Sequence, residues 1–111
     1  MPATSRNERV AHDEKIDCDF LRLDGYLFVP PEEKEDQLKD ELEAAHRAGL
    51  SDVAFVGRAP IEDFDTGPAL RFPNQGQFHP LKYLNGLVRA ITAGEGRIFT
   101  STRAIDFTPG E

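Results

Sequence analysis

The sequence predicts an α+β fold, a mainly antiparallel sheet with two helices. Three observations predict it. Short runs of β-prone residues flank turn-type residues at Asp24-Gly25 and Asn74-Gln75-Gly76, the pattern of hairpins. Apolar residues recur every three or four positions across Glu32–Ala48 and from Pro80 to Ile91, the pattern of helices. A length of 111 residues suits one domain or a piece of a larger one, not two independent cores.

Taken in order, residues 1–17 are polar and hold no periodic pattern. Val10, Ala11 and Ile16 are too sparse to define a helix. The segment is expected to be partly disordered, or to end a helix that begins elsewhere. Cys18 to Pro30 reads as a hairpin turning at Asp24-Gly25, with Leu21 and Leu23 opposite Leu27 and Val29. Gly25 in such a turn would take positive φ, so a valine there is expected to cost about 1–3 kcal/mol. Pro30-Pro31 halts the strand, and Glu32, Glu33, Glu35 and Asp36 gather where a helix start favours negative charge. The helix is expected over Glu32–Ala48, burying Leu38, Leu42 and Ala45. His46 faces solvent near its end, and Gly49 closes it.

Val53–Val56 reads as a short strand, followed by an irregular link through Pro60 and Phe64 to Pro68. Ala69–Phe72 and Gln77–His79 read as strands around a turn at Pro73-Asn74-Gln75-Gly76. Pro80 suits the first helical position, where no backbone N–H is needed. Leu81, Leu84, Leu87, Val88 and Ile91 then make one apolar stripe, and Gly94 suits a left-handed exit. Gly96–Phe107 reads as a final strand. A helix followed by such a strand is half of a strand–helix–strand crossover, whose first strand must run parallel to the last. No upstream stretch supplies that strand, so the pair looks made for a sheet this chain does not contain. Partial burial of the stripe would not offset the cost of ordering the helix. The two elements are therefore expected to fold back on the sheet or to pair with a second copy, as a homodimer through the exposed strand edge.

Thirteen Lys and Arg against 20 Asp and Glu give a formal charge of −7, which argues against nucleic acid or an anionic membrane as partner. No apolar run is long enough to span a bilayer. The charged first twenty residues do not read as a signal peptide. A lone cysteine, Cys18, fits a reducing, cytoplasmic setting, and Asp17 and Asp19 beside it disfavour a thiolate. No metal site is expected: His46 has no ligand at suitable spacing. There is no internal repeat, glycine-rich dinucleotide motif, P-loop, zinc-protease motif or nucleophile elbow. Composition and spacing alone therefore assign no catalytic residue.

The segments IDCDFLRLDGYLFVP, ALRFPNQGQFHPLKYLNGLVRAI and GRIFTSTRAIDF, read together, resemble the middle of FAD-dependent oxidoreductases of the D-amino acid oxidase/glycine oxidase type. They are most similar to bacterial members with a C-terminal Rieske domain. The resemblance covers roughly Glu8 to Thr108. It implies that residues 18–79 are part of a substrate domain and residues 80–111 a helix and strand of the FAD-binding domain. It also implies an internal fragment, or a stand-alone relic, of such an enzyme, because the phosphate-binding turn and the closing flavin segment have no counterpart here. Carried over position by position, Thr102, Arg103 and Ala104 match the place where the family's main chain approaches the adenine of FAD. The family's usual residue at Ala104 is a valine or similar. The hairpin Arg71 to His79 matches the substrate-domain strands that lie near the flavin ring; Arg71, Gln77, His79 and Tyr83 are the candidates to face it, and each has a surface or capping role as its alternative. Arg71 suits a substrate carboxylate but has Asp63 and Asp65 close in sequence. His79 needs a hydrogen-bonded partner before it can transfer a proton.

The expected parent is a flavoenzyme that oxidises a small amine or amino acid by hydride transfer to FAD, with this chain inactive and flavin-free by itself. The competing class is a non-enzymatic α+β domain that binds a protein partner through an exposed sheet edge.

Overall fold

Turn-type residues do not end strands in this chain; they bend them. The structure, a computed structural model, describes residues 3–30 and 36–110. Its elements are α1 (Ala3–Asp13), β1 (Leu21–Phe28), α2 (Asp36–Arg47), β2 (Ala54–Val56), β3 (Ala69–Gln77) and α3 (Pro80–Ala93). The three strands form one antiparallel sheet in the order β1-β3-β2.

Asp24-Gly25 lies inside β1, and Pro73-Asn74-Gln75-Gly76 lies inside β3. Neither is a hairpin turn, which corrects both expectations. The two strands instead pair with each other, from Leu21 opposite Gln77 to Phe28 opposite Ala69. Between Leu23–Gln75 and Gly25–Phe72 the register shifts, with one more residue on β3 than on β1. Asn74 takes φ 57° within that bulge. Asn tolerates the left-handed region, and such residues serve a bulge as readily as a turn. Gly25 has no positive φ; a Cβ there would lie 3.3 Å from Gln75 Cγ, a flexible neighbour.

The chain divides into two compact units, Asp19–Phe78 and a second made of Met1–Cys18 with His79–Glu111. In the first, Leu38 and Ala45 of α2 meet Val53 and Leu70, with Val29, Leu42 and Phe72 packed around them. The expected face of α2 is therefore the buried one. Its first residues, 31–35, lie outside the described ones. Gly49 closes the helix at φ 89°, and Leu50 N–H donates to Ala45 O at 2.9 Å. His46 is exposed, and its Nε2 donates to Val53 O at 2.8 Å, holding the turn that follows. Residues 57–68 are pinned by Arg58, which donates to the carbonyls of Ile61 (2.7 Å), Glu62 (3.3 Å) and Phe64 (3.1 Å).

In the second unit, α1 replaces the disorder expected near the N-terminus. Ala11, Ile16 and Cys18 are buried there. Gly86 of α3 is buried as well, and a Cβ on it would sit 2.4 Å from Ile16 Cγ2. That close approach is why a glycine stands in mid-helix. Gly94 ends α3 at φ −86°, and the left-handed residue is Glu95 at φ 63°, one place later than expected. No strand forms over Gly96–Phe107; residues 95–110 are exposed and irregular. β-prone composition needs a neighbouring strand to act on, and the described residues offer none here. Leu84 and Ile91 are 53% and 46% exposed, so the expected stripe is not buried within its own unit. The helix is held from its other side, through Gly86 and Ile16.

Two outcomes follow for chemical denaturation. Gly86→Ala lowers stability by about 1–3 kcal/mol despite the better helix propensity of alanine, because Ile16 must move. Asn74→Val costs on the order of 1–3 kcal/mol, whereas Gly25→Val, in a strand with negative φ, costs less than about 1. Equal losses at positions 74 and 25 would refute the bulge.

Candidate functional site

Strand β3 sets the first group of candidate residues. Leu70 and Phe72 face the core, so Arg71 between them points to the opposite face of the sheet. There it stands across from Tyr26 of β1 and Ala54 of β2. Its guanidinium pairs with Asp24 at 3.8 Å, not with Asp63 or Asp65, which corrects the partner inferred from sequence proximity. Asp65 pairs instead with Arg58 at 4.0 Å. On the same face Phe28 lies opposite Ala69, and the Phe64 ring reaches Phe28 at 6.1 Å, so the 57–68 loop covers that end. The Arg71 side chain is 44% exposed and its ion pair is loose, which leaves the cation accessible to another carboxylate. Gln77 is exposed at the far end of β3, opposite Leu21.

His79 and Tyr83 belong to the other unit and sit one helical turn apart. His79 is the N-cap of α3: its Nδ1 accepts from Lys82 N–H at 3.3 Å, which fixes Nδ1 as the unprotonated nitrogen. Its backbone N–H donates to Cys18 O at 2.7 Å, and its carbonyl accepts from Tyr83 N–H at 3.0 Å. The histidine thus has a structural use that its residue type did not announce. The structure groups Arg71 with Asp24 and Tyr26, and His79 with Tyr83.

Thr102, Arg103 and Ala104 lie exposed in the irregular segment after α3, with the Thr102 hydroxyl donating to Thr100 O at 3.0 Å. Main-chain contact to an adenine is open to such a segment. The phosphates of FAD need free N–H groups at a glycine-rich helix start. At α3 the first residue is proline and the Lys82 N–H is already taken by His79. The starts of α1 and α2 adjoin residues outside the described ones. The described residues therefore do not make a flavin cradle. Among them no three His, Cys, Asp or Glu side chains gather as a metal site, and no helix is long and apolar enough to cross a membrane.

The family model described as FAD dependent oxidoreductase matches residues 3–111. This chain belongs to that family. A Bacillus subtilis (strain 168) protein named as a Rieske 2Fe-2S iron–sulfur protein, YhfW, is 33% identical over 102 residues, covering 92% of this chain and 20% of the relative. The chain thus spans about a fifth of the length of the curated relative it matches. No solved structure is significantly similar to it. Both the FAD-dependent family and the Rieske association agree with the resemblance carried by the three segments.

Asp24 was read from the sequence only as a turn residue, and Arg58 was not singled out. Their roles depend on which strands lie side by side and on loop carbonyls converging, and neither has a local signature. The cap at position 79 is checked by chemical denaturation. His79→Ala loses about 0.5–2 kcal/mol, whereas His79→Asp, whose side chain also accepts from the first turn, keeps most of it.

Proposed function

We propose that this chain is an internal part of an FAD-dependent oxidoreductase that oxidises an amine or amino acid by hydride transfer to flavin. The observation that carries the reading is the family match across residues 3–111. The remaining four-fifths of the relative's length leaves room for the phosphate-binding turn that the described residues do not form. FAD supplies the redox chemistry, and the chain contributes positioning and charge.

Within that reading, Arg71 holds a substrate carboxylate in exchange for its loose contact with Asp24, with Gln77 further along the same strand; His79 and Tyr83, in the other unit, are the candidates there. Residues Thr102–Ala104 meet the adenine through main-chain atoms. The lone buried cysteine supports a cytoplasmic setting. The exposed stripe Leu81, Leu84, Val88 and Ile91 supports a role for α3 inside a larger assembly.

Two measurements test the proposal. After mixing with FAD and gel filtration, the isolated chain elutes without flavin absorbance; a yellow protein peak would overturn the reading of an incomplete site. In a longer polypeptide that contains this segment, anaerobic addition of an amine or amino acid bleaches the bound flavin. A flavin that stays oxidised across a panel of both would sink the substrate class.

A further inference from the structure

We propose that Arg71 and Asp24 together form a site for a zwitterion, so that the ligand is an amino acid, carrying both a carboxylate and an ammonium, and not a simple amine or a simple acid. The proposal rests on the reading of Arg71 as a carboxylate anchor and narrows the two substrate classes named there to one.

This pair differs from the other ion pairs among the described residues. Those join residues on one helix or within one loop. Arg71 and Asp24 come from two strands that α2 and β2 separate in sequence, and they meet on the sheet face away from the Leu70 core. Asp24 falls at the bulge, between Leu23–Gln75 and Gly25–Phe72, where the ladder gives it no partner. A bulge re-aims a side chain in this way.

The two side chains are 44% and 38% exposed, and at 3.8 Å they are within ion-pair range but beyond hydrogen-bond length. Among the described residues neither side chain has another polar partner. Arg58 and Arg22, by contrast, direct their donors to carbonyls. The hydrogen-bonding capacity of Arg71 and Asp24 is therefore left for a ligand.

Charge decides the ligand class. A carboxylate that took the guanidinium alone would stand beside the Asp24 carboxylate, and like charges so close oppose binding. A plain amine on Asp24 would face Arg71 with the same difficulty. A zwitterion removes both objections: its carboxylate lies on Arg71 and its ammonium on Asp24, so each of the four charges has an opposite neighbour. The sizes agree. In an α-amino acid the nitrogen and the carboxyl carbon lie about 2.5 Å apart across one tetrahedral carbon. Its two ends can therefore reach groups 3.8 Å apart. Access is open from the β2 side, where the residue across from Arg71 is the exposed Ala54, with only a methyl group. Phe28 and Phe64 close the end beside the buried Ala69.

The test is anaerobic equilibrium dialysis of a longer polypeptide that contains this segment, which reads binding whether or not a flavin is reduced. The ligands are glycine, alanine, leucine and phenylalanine, in both enantiomers where these exist. Each is compared with its amide and with the acid that lacks the amino group. At least one amino acid is expected to bind about tenfold or more tightly than both of its relatives. Asp24→Asn lowers the affinity for that amino acid about tenfold and does not lower that for the plain acid, whereas Arg71→Gln lowers it likewise and spares the amide. A merely structural role would weaken all three ligands alike. Preferential binding of a zwitterion to a polypeptide whose flavin stays oxidised would refute the hydride-transfer reading and support the zwitterion site. An acid or amide that binds as tightly as its amino acid throughout the panel, no amino acid bound at all, or equal losses for the three ligands in both variants would overturn the proposal, whatever the flavin does.

Discussion

The ladder between β1 and β3 is the constraint on which the Asp19–Phe78 unit rests. These strands are separated by the whole of α2, β2 and the 57–68 loop, so nothing local holds them together. Their pairing places Leu70 and Phe72 under α2 and gives β2 a strand to join. It also sets Arg71 against Asp24 on the other face. The bulge at Asn74 lets both ends of the ladder stay in register although the strands differ in length by a residue. At its far end the Phe20 and Phe78 rings stack at 6.1 Å and 10°, and Arg22 lies over Phe20 at 5.6 Å.

That ladder also explains which parts of the fold were legible. The buried face of α2 and the extent of α3 follow from periodicity within one segment, and the sequence shows them directly. Asp24-Gly25 and Asn74-Gln75-Gly76 carry the residues of a tight turn, but the same residues suit a bulge. The choice depends on a partner strand some fifty positions away. Alternation in GRIFT has the same ambiguity, because β-propensity reports fit to a neighbouring strand. The helix Ala3–Asp13 was illegible for another reason: with few apolar residues, its helical period has little to show itself by.

For the candidate site, the sequence supplied residue types and the family supplied their places. Neither revealed what each side chain already does. His79 caps a helix and Arg71 is paired, so any role toward a ligand must be added to these uses. The chain belongs to the FAD dependent oxidoreductase family.

One earlier detail bears on how such a chain can change over time. The backbone leaves one unit after Cys18 and rejoins it at His79, and the hydrogen bond from His79 N–H to Cys18 O fixes those two points side by side. Everything from Asp19 to Phe78 is therefore a detour between neighbouring backbone positions. Such a junction tolerates exchange: a longer, shorter or unrelated module whose ends meet could be spliced between the same two residues without moving either. The surroundings of Arg71 can then diversify between relatives while the helix carrying Tyr83 keeps its place, so specificity and scaffold need not evolve together.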